Sequence, residues 1–174
     1  MKRLLLLRHA KAGQDSDGGD YARPLAPRGT RNAPAMGRAM REKSYVPKLV
    51  LCSGAARTRQ TWALAAAELT SKPAVEFDDG LYLAPWKAIL NTAKEVPENI
   101  KTLMIVGHNP GLEDCAAALL RHTAGPDERA RRVVMAEKFP TGALAVIDCD
   151  IAAWTALAPA CGVLTDFIRP RDLE

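Results

Sequence analysis

Two basic residues, Arg8 and His9, follow directly after four consecutive leucines at positions 4–7. A guanidinium can fork onto the oxygens of a phosphoryl group, and a neutral imidazole can act as a nucleophile. A short apolar run without polar alternation is typical of a strand covered on both faces of a parallel sheet. Such sheets bind ligands just beyond the carboxyl ends of their strands. We therefore expect a ligand site at this edge of the sheet, although Arg8 and His9 alone fit a solvated strand end equally well.

Two further apolar runs also end in polar or basic residues. Residues 49–52 lead into Ser53, a plausible helix N-cap, and a helical pattern with Arg57 in its first turn, while residues 103–106 lead to His108. A basic residue in a first turn opposes the helix macrodipole unless an anion binds there. The carboxyl ends of parallel strands meet at one edge, so the sequence predicts one site from these segments. Two guanidiniums, two imidazoles and two helix N-termini suit a phosphoryl dianion.

The hydrophobic pattern predicts elements that would hold these residues in place. Strands are predicted at 4–7, 48–52, 75–77 and 103–106, alternating with helices at 30–43, 55–69, 86–96 and 110–121. In the last helix, Asn109 is the predicted N-cap and Pro110 the first helical residue. Beyond it we expect a charged loop at 124–132 and strands at 143–147, 154–157 and 163–168. Alternating strands and helices predict an α/β fold with a mostly parallel sheet and helices on both faces.

Length and composition narrow the class of protein. The 174 residues fit a single domain, and no segment approaches the ~18 apolar residues of a membrane span. We expect a cytoplasmic protein without a membrane partner. The net charge of +4 favours anionic partners mildly, but basic residues are dispersed and aromatic residues make up 5%, which argues against nucleic acid. The four cysteines lack paired C-x-x-C spacing and are expected to be free thiols.

Three motifs resemble the histidine phosphatase superfamily, also called phosphoglycerate-mutase-like. They are Leu-Arg-His at 7–9, Cys-Ser-Gly-Ala-Ala-Arg-Thr-Arg-Gln-Thr at 52–61 and Val-Gly-His-Asn-Pro-Gly-Leu-Glu at 106–113. The segment 20–25, Pro-Thr-Gly-Ala at 140–143 and the short length look like the SixA-type phosphohistidine phosphatases. The resemblance runs from residue 4 to about residue 170. It implies one histidine phosphatase domain over 1–174, built as a three-layer α/β/α sandwich with a mostly parallel central sheet.

The resemblance also implies roles for the site residues. His9 would be the nucleophile that forms a phosphohistidine intermediate, and Arg8, Arg57 and His108 would bind the phosphoryl group. Water would then attack the intermediate, so the family requires neither a metal nor an organic cofactor. Many relatives supply a general acid from a loop, and here Asp79, with Asp78, is a loose candidate that fits a turn former better.

The implied substrate is a phosphorylated protein carrying phosphohistidine, with a small phosphoester as the alternative. Hydrolysis of a phosphoramidate depends less on a strong general acid, because its leaving nitrogen is more basic than an ester oxygen. Mutases of this fold usually carry longer insertions, for which this chain has little room. A phosphate-binding scaffold is the non-enzyme alternative, and the intact set of two arginines and two histidines argues against it.

A cysteine-based phosphatase is the competing enzyme class. Its C-x5-R phosphate loop, counted from Cys52, would require arginine where Thr58 stands, whereas Arg57 leaves four intervening residues. That mechanism would also leave His9 and His108 unexplained. The histidine-based mechanism therefore accounts for more of the residues at the predicted strand ends.

Overall fold

The computed structural model describes residues 1–14 and 17–174. Within these ranges the strands are β1 (Lys2–Arg8), β2 (Leu49–Cys52), β3 (Ala74–Phe77), β4 (Thr102–Gly107), β5 (Leu144–Cys149) and β6 (Gly162–Ile168). The helices are α1 (Pro27–Glu42), α2 (Ala56–Ala66), α3 (Trp86–Lys94), α4 (Gly111–Leu119) and α5 (Pro126–Glu137). Short 3-10 turns cover Asp20–Ala22, Asp79–Leu81, Trp154–Ala156 and Pro170–Leu173.

The strands form one sheet in the order β3-β2-β4-β1-β5-β6. The first four are parallel, whereas β5 and β6 run antiparallel to their neighbours. Strand β4 lies between β1 and β2, with Arg8 opposite Gly107 and Cys52 opposite Val106. The carboxyl ends of β1, β2 and β4 therefore meet at one edge, as the sequence predicts.

Both faces of the sheet are covered, which explains the uninterrupted leucine run in β1. Leu4 and Leu6 belong to the core shared with α3 and α4, whereas Leu5 and Leu7 belong to the core shared with α1 and α2. Successive side chains of a strand point to opposite faces, so a strand between two helix layers is apolar at every position. The predicted three-layer α/β/α sandwich is confirmed.

The predicted charged loop at 124–132 is wrong, because α5 occupies most of this segment. Pro126 stands at its start and Asp127 lies in its first turn, where both residues favour a helix N-terminus. Only Glu128 and Met135 are buried along the helix. A helix that is polar on nearly all sides gives little apolar periodicity, which is why the pattern did not reveal it.

The predicted strand at 154–157 is also wrong. Trp154 begins a 3-10 turn, is fully buried and donates a hydrogen bond from Nε1 to the Ile100 carbonyl at 2.7 Å. Its burial therefore comes from filling the core between the sheet and α3 rather than from strand pairing. A short apolar run does not distinguish these two cases.

Helix α4 begins later than predicted. It starts at Gly111 with Pro110 at the N-cap, after a cis Asn109–Pro110 peptide bond. A Cβ on Gly111 would lie 1.9 Å from the Ala84 carbonyl oxygen, so glycine allows this close approach. The Asn109 side chain still accepts a hydrogen bond from the backbone of Glu113. No helix in the described ranges is long and apolar enough to cross a bilayer.

Candidate active site

A cavity of ≈ 360 Å³ opens at the edge where β1, β2 and β4 end. All four predicted site residues line it. Its walls include Arg8, His9, Arg57 and His108 and, beside them, Lys11, Asp20, Arg23, Asn109 and Thr141. The structure therefore brings together residues that lie up to 100 positions apart in the chain, as the sequence predicts.

His9 follows β1 and is held by its neighbours on both sides. Its backbone N–H donates to the Gly107 carbonyl, and the Gly142 N–H donates to the His9 carbonyl. Its Nδ1 lies 2.8 Å from the Ala10 carbonyl oxygen. A carbonyl can only accept, so Nδ1 carries the ring proton and Nε2 keeps a free electron pair. Burial lowers the pKa of His9 to about 4, so the imidazole is neutral at pH 7.

His108 follows β4 and faces both His9 and the end of β2. Its Nε2 lies 2.8 Å from the Ser53 hydroxyl oxygen, and its ring centroid is 5.4 Å from that of His9. Burial lowers the pKa of His108 to about 3, and the nearby positive groups act in the same direction. The sequence had assigned Ser53 only as an N-cap of α2. The N-cap is Ala55, and the short hydroxyl contact of Ser53 is to His108.

The two arginines are each anchored through their outer nitrogens. Arg8 donates from Nη1 to the Phe139 carbonyl at 2.8 Å. Arg57, which is 2% exposed, donates from Nη1 to the Asp20 carbonyl at 2.8 Å and from Nη2 to the Asp20 carboxylate at 3.0 Å. These contacts fix both guanidiniums at the cavity wall and leave the inner Nε of each without a partner.

Three buried side-chain nitrogen or oxygen atoms lack a hydrogen-bond partner in residues 1–14 and 17–174. They are Nε of Arg8, Nε of Arg57 and Nδ1 of His108. A buried polar group left unpaired costs ~1–3 kcal/mol, so native proteins pair nearly all of them. All three belong to residues that line the same cavity. The wall of that cavity contains three arginines, one lysine and two imidazoles, which suits a ligand rich in oxygen acceptors, such as a phosphoryl group.

Asp20 is a site residue that the sequence reasoning missed. Its carboxylate accepts hydrogen bonds from the Tyr82 hydroxyl, from Arg57 and from Arg23. The Tyr82 contact, followed by those of the two arginines, lowers the pKa of Asp20 to about 2. Asp20 is therefore ionised at neutral pH and serves as an acceptor rather than a proton donor. Its only sequence signal was the motif at 20–25, which also contains its partner Arg23, whereas Arg57 and Tyr82 lie 37 and 62 residues away along the chain.

The remaining candidates lie outside the cavity. Asp78 accepts a hydrogen bond from the Gly80 N–H and so stabilises its own turn. Asp79 accepts one from the Tyr21 hydroxyl, 58 residues away in the chain. The Cys52 side chain is fully buried, and burial raises the pKa of its thiol to about 12. A thiol held protonated is a poor nucleophile, which argues against the cysteine-based alternative.

Known proteins resemble this chain over most of its length. The model of the histidine phosphatase superfamily (branch 1) matches residues 4–82. An uncharacterized protein of Mycobacterium tuberculosis is 34% identical over 165 residues, which are 95% of this chain and all of that protein. The SixA structure of Nakamurella multipartitia, a proposed phosphohistidine phosphatase, is 33% identical with a TM-score of 0.81, covering 97% of this chain and 96% of its own. The corresponding Agrobacterium tumefaciens structure is 29% identical with a TM-score of 0.79, covering 97% and 98%.

The fold is that of the solved SixA structures, and the chain belongs to the histidine phosphatase superfamily. Within that superfamily it is of the SixA type, since the SixA structures match almost the whole chain. The resemblance stated from the three sequence motifs is confirmed.

Proposed function

We propose that this protein hydrolyses phosphohistidine on a protein substrate through a covalent intermediate on His9. The observation that carries the proposal is the convergence of two guanidiniums and two imidazoles on one cavity, where the neutral His9 ring has a free Nε2. The names given to the SixA relatives point to the same substrate class. A small phosphoester remains the alternative substrate.

The first step is an attack of His9 Nε2 on phosphorus. A P–N bond forms to His9 while the bond to the leaving group breaks, and the leaving group keeps the electron pair. The positive charges of Arg8 and Arg57 stabilise the charge on the equatorial oxygens, and His108 supplies a hydrogen bond from Nδ1 or Nε2. Water then attacks phosphorus, releases inorganic phosphate and returns His9 to its neutral form.

The charges in the cavity favour a nitrogen leaving group. Asp20 is the one carboxylate that lines the described cavity, and its pKa of about 2 leaves it without a proton to donate. An alkoxide leaving group needs a proton from the protein, whereas the imidazole of phosphohistidine can be protonated by solvent. This difference supports a phosphoramidate substrate over an alkyl phosphoester. A cytoplasmic location is part of the proposal, and the four free thiols fit a reducing compartment.

The test uses a synthetic phosphohistidine peptide and an aryl phosphate, with phosphate release measured for wild type, His9→Ala and His122→Ala. His122 is the third histidine of the chain, is exposed and lies outside the cavity, so it is the matched control. We expect turnover by wild type and His122→Ala, none by His9→Ala, and an acid-labile phosphoryl label on His9. No release by wild type, or undiminished release by His9→Ala, would refute the mechanism.

A further inference from the structure

A second groove lies beside the catalytic cavity. Its volume is ≈ 170 Å³, and its walls include Arg28, Asn32, Pro140, Thr141, Arg169 and Arg171. Thr141 lines both the groove and the cavity, so the two depressions share one wall. A chain segment bound in the groove would lead directly to the place where His9 attacks phosphorus.

Three fixed elements build this groove. Arg28 and Asn32 are one turn apart on α1, and the Pro170–Leu173 turn supplies the opposite side. The wall between groove and cavity is formed by Thr141. The next residue, Gly142, donates its N–H to the carbonyls of Arg8 and His9 and so fixes this wall to the end of β1. Gly142 has φ +80°, and a Cβ there would lie 2.9 Å from Pro170. The wall is therefore closely packed against both the site and the C-terminal turn.

The groove carries unpaired positive charge. Arg169 is bound by Asp172 at 2.8 Å, whereas the guanidiniums of Arg28 and Arg171 form no salt bridge with any described residue. Glu174 contributes the one carboxylate among the lining residues. Arg28 also lies in the first turn of α1, which contains no acidic residue. A cation at that position opposes the helix macrodipole, and an anionic partner would offset the cost.

We propose that this groove binds an acidic segment of the phosphorylated protein substrate, next to its phosphohistidine. The inference rests on the proposed function and adds a recognition surface to it. The lining contains no aromatic side chain on which a base could stack, which favours an acidic polypeptide over single-stranded nucleic acid. A small phosphate substrate fills only the cavity, so the groove contributes nothing to its turnover.

The test compares two phosphohistidine peptides that differ only in their flanking residues. One carries Asp and Glu, and the other carries Asn and Gln at the same positions. The variants are Arg28→Glu and Arg171→Glu, with Arg31→Glu as the control. Arg31 is exposed on α1 and lies outside the groove, so the control makes the same charge change on the same helix.

We expect kcat/KM for the acidic peptide to fall about 10-fold in each groove variant and to change less than about 2-fold in Arg31→Glu, because rim charges act on association. Turnover of the amide peptide and of an aryl phosphate should be unchanged. Added salt should reduce the wild-type preference for the acidic peptide.

Two kinetic results would overturn the docking proposal and leave the proposed function standing. One is an equal loss of kcat/KM on both peptides, and the other is no loss of kcat/KM in either groove variant while wild type remains active. Stronger competition by a single-stranded oligonucleotide than by an unphosphorylated acidic peptide would also overturn it, in favour of a nucleic-acid site. Wild type that hydrolyses neither peptide nor aryl phosphate would instead refute the proposed function.

Discussion

Acidification should destabilise this protein through its two active-site histidines. The pKa of His9 falls from 6.5 to about 4 in the fold, and that of His108 falls from 6.5 to about 3. The unfolded chain therefore binds more protons than the native state between about pH 6.5 and pH 4. The free energy of unfolding rises with pH wherever the unfolded state binds more protons. It therefore reaches its full value above about pH 6.5 and decreases as the pH falls below that value.

The size of the effect follows from the same values. At about pH 5.5 a histidine with an unfolded pKa of 6.5 and a strongly depressed native pKa destabilises the fold by about 1.4 kcal/mol. The two histidines together should reduce the free energy of unfolding by about 3 kcal/mol relative to about pH 7.5. Asp20, with a native pKa of about 2, acts only at lower pH, because its unfolded pKa is 3.8.

The assay is urea unfolding at both pH values in buffers free of phosphate, for wild type, His108→Gln and His122→Gln. His108→Gln should lose about half of the pH dependence, and the exposed control should keep all of it. A wild-type difference below about 1 kcal/mol, or an unchanged difference in His108→Gln, would refute the argument that these imidazoles are buried in the neutral form.

Substitutions around the cavity test the other contacts. Asp20→Asn should lower kcat/KM for an aryl phosphate about 10- to 100-fold in steady-state assays, because it weakens the charged hydrogen bond from Arg57 Nη2, worth ~1.5–3 kcal/mol. Ser53→Ala removes the partner of His108 Nε2 and should reduce kcat about 10-fold in the same assay. Gly111→Ala should lower the free energy of unfolding by roughly 1–3 kcal/mol in urea titrations, because its Cβ would clash with a carbonyl oxygen 1.9 Å away.

Gly125→Ala is the control for the glycine substitution, since a Cβ at Gly125 meets nothing within 4 Å. Equal stability losses in the two alanine variants would contradict the packing argument for α4. Unchanged kinetic constants in Asp20→Asn would show that Arg57 is held in place without the Asp20 carboxylate. Unchanged kcat in Ser53→Ala would show that His108 is oriented by other contacts.

The sheet edge that carries the candidate site could be predicted from the sequence because its signal is local. Each of the three contributing strands contains a short apolar run, and the candidate residues stand at its end or just beyond it, so Arg8, His9 and His108 can be proposed without knowing any distant contact. The parallel order of the strands then brings the segments together. The same reasoning located Arg57, because an arginine in the first turn of a helix is unfavourable without an anion.

The contacts that fix the site residues could not be predicted, because they join distant parts of the chain. Asp20 approaches Arg57 only once the 3-10 turn at Asp20–Ala22 packs over α2, and no apolar pattern marks that turn. Helix α5 was missed because nearly all of its residues are exposed or half-buried. Glu128 is buried there because it accepts hydrogen bonds from Arg132, one turn along the same helix, and from the Leu164 N–H, which lies 36 residues away and could not be predicted from a local pattern.

The position of β4 between β1 and β2 determines when the site can exist during synthesis. β1 and β2 leave the ribosome first, yet they are not neighbours in the sheet and cannot pair with each other in the native register. Strand β4, residues 102–107, must be present before His9 and Arg57 are held at the same edge. A nascent or truncated chain that ends before β4 therefore contains Arg8, His9 and Arg57 but lacks both His108 and the strand that brings them to one cavity.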